Sequence, residues 1–291
     1  MDIRRLHGND QIALEQFLRQ YKETSLFMLS NMACVGLAEA DEAYHGVYWG
    51  LFTQKRLSAV VVQYWNGIIM MQAPQTEQLT ELLQVVRANI KRPITGVLGA
   101  LQQADEVVTH FGLSESQFNL YRAEQLYALD LAELIIPSVQ ESLELKLVRP
   151  CLKHRGILEA WLRAYELEAL HATEDEALVQ RVRARVANWL ESDELYLLEA
   201  NQQPVAMSGF NARLPDTVQL GPVWTPPEQR NRGYARYLVA QSLALAKQAG
   251  VQTAILFTDT PAAIQAYKAL GFQWIGYYRL ALLREPYALN L

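Results

Sequence analysis

Residues 226–238, PPEQRNRGYARYL, place a glycine and an alanine two positions apart among three arginines, just ahead of a run with helical periodicity. A strand stopped by Pro226 and Pro227 that turns into a helix at Gly233 aims the free N–H groups of the first helical turn at the turn itself. Those donors, with the positive end of the helix dipole, make an anion site. Small residues at Gly233 and Ala235 let a ligand approach the backbone, while Arg230, Arg232 and Arg236 add charge and forked donors suited to phosphate. The chemistry indicated is the cradling of a pyrophosphate or a similar anion. Neither Gly-Lys-Ser/Thr nor Gly-x-Gly-x-x-Gly occurs in the chain, which removes the main support for nucleotide hydrolysis and for hydride transfer.

Other chemistries find little footing. The histidines His7, His45, His110, His154 and His171 are scattered without metal-ligand spacing, so no metal is expected. Cys34 and Cys151 have no Cys-x-x-Cys spacing and are expected to be buried apolar residues. No Gly-x-Ser-x-Gly supports an acyl-enzyme route. The net charge of −5 argues against general nucleic-acid binding, yet residues 201–291 carry eight Lys+Arg against four Asp+Glu, while residues 1–200 carry eighteen against twenty-seven. The basic excess therefore accompanies the anion motif. A start without a signal-peptide core, and no run of about 20 apolar residues, point to a cytoplasmic protein with no membrane partner.

Positioning the motif requires a strand before it and a helix after it, and the surrounding patterns supply both. In the first half, DQIALEQFLRQYKETSLFMLSNM reads as one or two helices. HGVYWGLF, SAVVVQYW and GIIMMQAP read as a meander, with Asn66-Gly67 suited to a type I′ turn. TEQLTELLQVVRANI is a helix opened by Thr76, ITGVLGAL a strand, LQQADEVVTHFG a helix and EQLYALDL a strand. IIPSVQES, residues 135–142, is the best linker, after which the order restarts with a strand, two amphipathic helices and the strands ELYLLEA, PVAMSGFNARL and TVQLGPVWT. The motif helix, the strand TAILFTD, a helix begun by Pro261 and the strand QWIGYYRLALL follow. The expectation is an α/β (α+β) protein with two copies of one fold, residues 1–138 and 143–291, each a mixed, mainly antiparallel central sheet flanked by helices.

The segment VWTPPEQRNRGYARYLVAQSLALAKQAG resembles the central motif of the GNAT superfamily of acetyl-CoA-dependent N-acyltransferases, Arg/Gln-x-x-Gly-x-Gly/Ala. Arg230, Asn231, Arg232, Gly233, Tyr234 and Ala235 match it position for position. The segment TPAAIQAYKALGF resembles the family's next motif through Pro261, Ala263, Tyr267, Gly271 and Phe272, with Thr260 where the family often has Asn. The two motifs span about 50 residues, and the family's strand plan covers roughly residues 143–291. The resemblance implies acetyl-CoA as acyl donor, its pyrophosphate on residues 230–235 and its pantetheine arm along the backbone of Val223, Trp224 and Thr225. It further implies Tyr267 as general acid for the departing thiolate, a role a neutral phenol suits.

The acceptor is an amine, small molecule or peptide, that no motif names. The family's usual strand Glu is missing from TVQLGPVWT; Glu199, Asp216, Glu228 and Asp259 lie nearby but read as surface or turn residues, and no base is assigned. In the first half, ITGVLGALQQADEV stands as the counterpart of the motif without its arginines, which implies a degenerate copy. A homodimer stays open. Two other functions remain: a CoA-responsive regulatory protein without turnover, and a transferase drawing on aminoacyl-tRNA.

Overall fold

The computed structural model describes residues 1–38, 40–138 and 144–289. Packing divides the chain into two compact units, Met1–Leu126 together with Ile275–Leu291, and Tyr127–Trp274. The expected division at 138/143 assigned the last strand to the C-terminal half, whereas its contacts belong to the first unit. Of the expected linker, residues 139–142 lie outside the described residues.

In the first unit β1 (Asp2–Arg5) precedes helices α1 (Gln11–Arg19) and α2 (Lys22–Val35). The strand β1 carries no alternating apolar pattern and was not expected from the sequence. The meander is β2 (Gly46–Thr53), β3 (Arg56–Tyr64) and β4 (Ile68–Gln72), followed by α3 (Thr76–Asn89), β5 (Ile94–Ala100), α4 (Leu101–His110) and β6 (Phe118–Asp130). Gln75, not Thr76, is the N-cap of α3. β4 and β5 are parallel, and β5 pairs on its other side, antiparallel, with β12 (Gln273–Tyr287), Leu280 standing opposite Leu98. Leu79, Leu82, Leu83 and Val86 of α3 are buried against Trp49, Val61 and Val97, and Ala281 of β12 joins that core. Arg279 fastens β12 to α4 through two bonds to Asp105, at 2.8 and 3.1 Å. The aromatics Tyr48, Trp49 and Tyr64 are core residues, and because the adjacent Tyr48 and Trp49 point to opposite faces, β2 is covered on both, whereas Tyr44 is exposed.

The second unit runs β7 (Leu145–Val148), α5 (Arg155–Ala169), α6 (Glu176–Glu191), β8 (Leu195–Ala200), β9 (Gln203–Arg213), β10 (Thr217–Trp224), α7 (Tyr234–Gln248), β11 (Thr253–Thr258) and α8 (Pro261–Lys268). Strands β7 to β10 pair antiparallel in sequence order, and β10 pairs with β11 in parallel. One sheet face packs on α7 through Leu238, Val239 and Leu243, and the other on α5 and α6 through Leu158, Leu162, Val182 and Val186. Gly250, at φ 97, ends α7 in left-handed geometry, which glycine adopts without a Cβ penalty.

Both units thus show a meander, a helix, a parallel strand and a helix in the same order. That order corrects one expectation: ITGVLGALQQADEV, as β5 and α4, matches β11 and α8. The first unit's counterpart of the arginine loop is the segment Ala73–Gln75 between β4 and α3.

The Asn66-Gly67 turn also differs from expectation. Only Gly67 has positive φ (84°), and its N–H bonds Tyr64 O at 2.9 Å across a loop of residues 65–67. A type I′ turn needs two residues at positive φ, and that geometry is taken instead at Gln54–Lys55 and Asn201–Gln202. A Cβ on Gly67 would stand 2.5 Å from Pro93 O. Gly67→Ala is therefore expected to lower the unfolding free energy by roughly 2 kcal/mol, read as a lower urea midpoint at unchanged slope.

Ahead of α1, Arg4 grips Asp10 at 2.8 and 2.6 Å, and His7 N–H adds a bond at 2.9 Å. The Arg4 guanidinium, above all, holds the Asp10 carboxyl down at about 2. A depressed carboxyl contributes stability that is complete above its unfolded pKa and lost as pH falls through the folded value. Acid titrations of wild type and Asp10→Asn should accordingly converge as pH drops from about 4 toward 2.

Candidate active site

The residues that matter lie on β10 and on the turn that follows it. β10 pairs with β11 only at Thr217–Thr253, Val218–Ala254 and Gln219–Ile255, although β10 continues to Trp224 and β11 to Thr258. On its other side β10 stays with β9 as far as Trp224–Met207, through register shifts between Gln219 and Val223. The shifted segment contains Gly221 and Pro222, joined by a cis peptide. Proline has no N–H to give a ladder and within sheets is confined to edges and bulges. From Leu220 onward β10 therefore has no strand partner on the side that β11 has left.

Polar atoms collect around this opening. Ser208 Oγ, Gln219 Oε1, Trp224 Nε1 and Thr225 Oγ1 are buried without a hydrogen-bond partner. Buried polar atoms are nearly always paired, so unpaired ones concentrated on adjacent strands mark a place prepared for something else. The Gln219 amide itself donates to Leu220 O at 2.7 Å.

β10 gives way to a short 3-10 turn, Pro227–Gln229, and then to Asn231 (φ 62) and Gly233 (φ 79) before α7 begins. The paired prolines thus sit in an ordered turn. Gly233 caps α7 with no side-chain bond, and the Tyr237 N–H donates to Gly233 O at 3.0 Å. By helix geometry the N–H groups of Tyr234, Ala235 and Arg236 have no acceptor inside α7. A Cβ on Gly233 would meet nothing within 4 Å, so the backbone here is open on the outside. Tyr234 is buried in the α7 core and anchors the first turn, and Arg232 and Arg236 are exposed beside it.

Arg230 does a different job from its neighbours. Its Nε donates to Thr225 O at 3.0 Å, its Nη2 meets Glu168 of α5 at 2.9 Å, and its guanidinium lies 4.8 Å from the Trp224 ring centroid. The arginine expected to face phosphate is engaged in holding the turn to α5 and the end of β10. Among the described residues Arg232 makes a long 3.4 Å contact to Glu228 O. Val223 is half-buried on the α7 face, and Trp224 is buried among α5 and α6 side chains.

Tyr267 lies in the last turn of α8, half-buried against the α7 core, with its ring 5.8 Å from Phe272. Thr260 is the N-cap of α8 without a side-chain bond, and Pro261 opens the helix.

The carboxylates near the site are not all surface residues. Glu228 and Asp259 are exposed, but Glu199 is buried on β8, 3.7 Å from His154 Nε2. His154 Nδ1 accepts the Cys151 N–H at 3.0 Å, and burial lowers the imidazole pKa, so the ring is a neutral structural cap. Both cysteines are exposed, contrary to expectation, because each lies at a helix end away from the packed faces.

Two residues escaped the sequence reading. Glu168 secures Arg230, and Glu166, buried on α5, faces Arg181 at 3.7 Å and Arg185 at 3.8 Å. Arg181 and Arg185 of α6 thus share a Glu partner that comes from another helix. No local spacing connects positions 166 and 185, so no sequence signal pointed to the pair. Among the described residues no group of three or more His, Cys, Asp or Glu is arranged to hold a metal ion, and no helix is long and apolar enough to cross a membrane.

Residues 157–272 match the model of the acetyltransferase (GNAT) family. No curated protein matches the chain. Solved structures similar to it include a Drosophila protein (12% identity, TM-score 0.66, covering 97% of this chain and 98% of that one). A GCN5-related N-acetyltransferase from Sphaerobacter thermophilus is similar at 13% identity and TM-score 0.60, covering 100% and 97%. A tandem GNAT protein from the clavulanic acid biosynthesis pathway is similar at 13% and 0.53, covering 96% of each chain. At these identities the structures establish the fold. The family match is confined to residues 157–272, and structures of the same fold extend over the whole length of the chain.

The Arg230–Glu168 pair is partly exposed, at 37% and 53% of the side chains. Glu168→Ala should change global stability by less than about 1 kcal/mol. It should nonetheless release the turn and speed tryptic cleavage after Arg232, followed by mass spectrometry in a time course.

Proposed function

We propose that this protein is an N-acetyltransferase that moves an acetyl group from acetyl-CoA directly to an amine, small molecule or peptide. The observation that carries the reading is the interrupted β10–β11 ladder opening beside the uncapped start of α7. An amide-rich arm can add along Val223, Trp224 and Thr225, on the side that β11 has left, as a strand adds to a sheet, although the Thr225 carbonyl already accepts from Arg230. Asn231, Arg232, Gly233, Tyr234 and Ala235 would bind the pyrophosphate through backbone N–H groups and exposed charge, with Arg230 keeping the turn in shape. The unpaired Trp224 Nε1 and Thr225 Oγ1 support a ligand at this place.

Acetyl-CoA supplies an activated thioester, so no enzyme nucleophile is needed. The acceptor nitrogen bonds to the thioester carbonyl carbon and the carbon–sulfur bond breaks. Tyr267 gives the departing sulfur its proton, and the amine loses its own to ordered water.

In this reading residues 143–291 hold the transferase sequence and residues 1–138 form a degenerate copy. The segment Ala73–Gln75 has neither glycine nor arginine. Ala73 N–H is taken by Gln103 Oε1 at 2.8 Å, and Gln72 Oε1 by Thr24 and Ser25 hydroxyls at 2.8 and 3.1 Å. β4 likewise leaves β5 after Met70–Leu98, but there the Ala73 N–H and the Gln72 side chain are already bonded within the unit.

Isothermal titration with acetyl-CoA tests the donor: wild type should bind and Gly233→Glu should not, and equal binding by both sinks the reading. With a panel of amines and peptides and a thiol-release assay, Tyr267→Phe is expected to lower kcat roughly a hundredfold with little change in KM for acetyl-CoA. Binding of acetyl-CoA without turnover on any acceptor would assign the chain a regulatory role instead.

A further inference from the structure

The first unit holds a cavity of ≈ 540 Å³ beside β1, the β2–β3 face and the end of α3, apart from the site described above. Its wall carries Arg4, Arg5, Lys91 and Arg92 against a single carboxylate, Asp41. Counted along the sequence, residues 1–126 contain ten Lys+Arg and thirteen Asp+Glu. An unbiased wall would carry slightly more acid than base, yet this one has four bases to one acid. Val47, Trp49 and Val85 give the same cavity an apolar side.

Two of the cations are already set in place. Arg4 is clamped by Asp10 at 2.6 and 2.8 Å, and Arg92 is bonded to Asp41. The Arg92 carbonyl accepts the amide of Gln63, a buried residue of β3, at 2.9 Å, which fixes the 91–92 segment to the sheet. A guanidinium has five N–H donors, so one carboxylate partner leaves others for a ligand. Cations held beforehand also lose less side-chain freedom on binding. Lys91 is exposed beside them and adds a compact charge.

Formal charge on the wall is four positive less one negative, or +3, and Asp10, which pairs with Arg4, lowers it to +2, a charge that matches a dianion. The volume falls within the range of roughly 300–1,000 Å³ typical of small-ligand sites. We infer that this cavity binds a small organic phosphate, its phosphate among Arg5, Lys91 and Arg92 and its apolar part against Val47, Trp49 and Val85. The site is separate from the cradle at Gly233 and does not depend on the function proposed for it.

The test is isothermal titration of the full chain with phenyl phosphate, inorganic phosphate and phenol. Phenyl phosphate should bind saturably, one per chain, more tightly than either fragment. Lys91→Glu should weaken it about tenfold or more, Lys91→Arg should restore it, and Gly233→Glu should leave it unchanged. Lys91 is exposed, and the urea midpoints of its variants should match wild type. The inference is overturned by no saturable binding at millimolar ligand, by equal affinity in Lys91→Glu, or by loss of binding in Gly233→Glu.

Discussion

Pro222 has no N–H to give to a neighbouring strand, and it stands in the middle of a central strand. Sheets tolerate such a residue only where the ladder is already irregular, and β10 meets that condition with shifts in register on either side of Leu220. The strand keeps its hold on β9 and parts from β11 after Gln219. Everything else in the second unit's site follows from that parting. It ends the main-chain ladder between β10 and β11 near the unpaired side-chain atoms of Gln219, Trp224 and Thr225. It also directs the chain into the turn that ends at Gly233.

The turn must then hold its shape without help from a ladder. Arg230 provides that help by joining three elements: the carbonyl of Thr225, the Glu168 side chain of α5 and the face of Trp224. A partly exposed ion pair contributes little to global stability, but it can select one conformation of a short segment. The left-handed residues Asn231 and Gly233 complete the path, after which the uncapped first turn of α7 faces outward.

The first unit repeats the order of elements with different consequences. Its β4 leads into α3 through residues 73–75, too short a connection for a cradle, and there Gln103 takes the Ala73 N–H while Thr24 and Ser25 bond the Gln72 side chain. The expectation that the first copy is degenerate rested on missing arginines at ITGVLGALQQADEV. The structure moves the comparison to Ala73–Gln75, where arginine and glycine are also missing. The last strand, β12, pairs with β5, so residues 1–138 by themselves lack a neighbour of that strand.

Much of this was legible in the sequence because it depends on local physics. Periodicity located the meanders and most helices, Gly250 and Pro261 marked helix ends, and the residues from Arg230 to Ala235 announced an anion-binding helix start. Those signals act within a few residues of one another and survive without knowledge of the fold. The sequence by itself determined the family resemblance, the order of elements in each half and the place of the motif. The tertiary structure alone decided that Arg230 serves the turn through Glu168, that Glu166 meets Arg181 and Arg185, and that the chain's last strand belongs to the first unit. Those outcomes join residues far apart in the chain, and a long-range pairing leaves no spacing in the sequence by which it can be read.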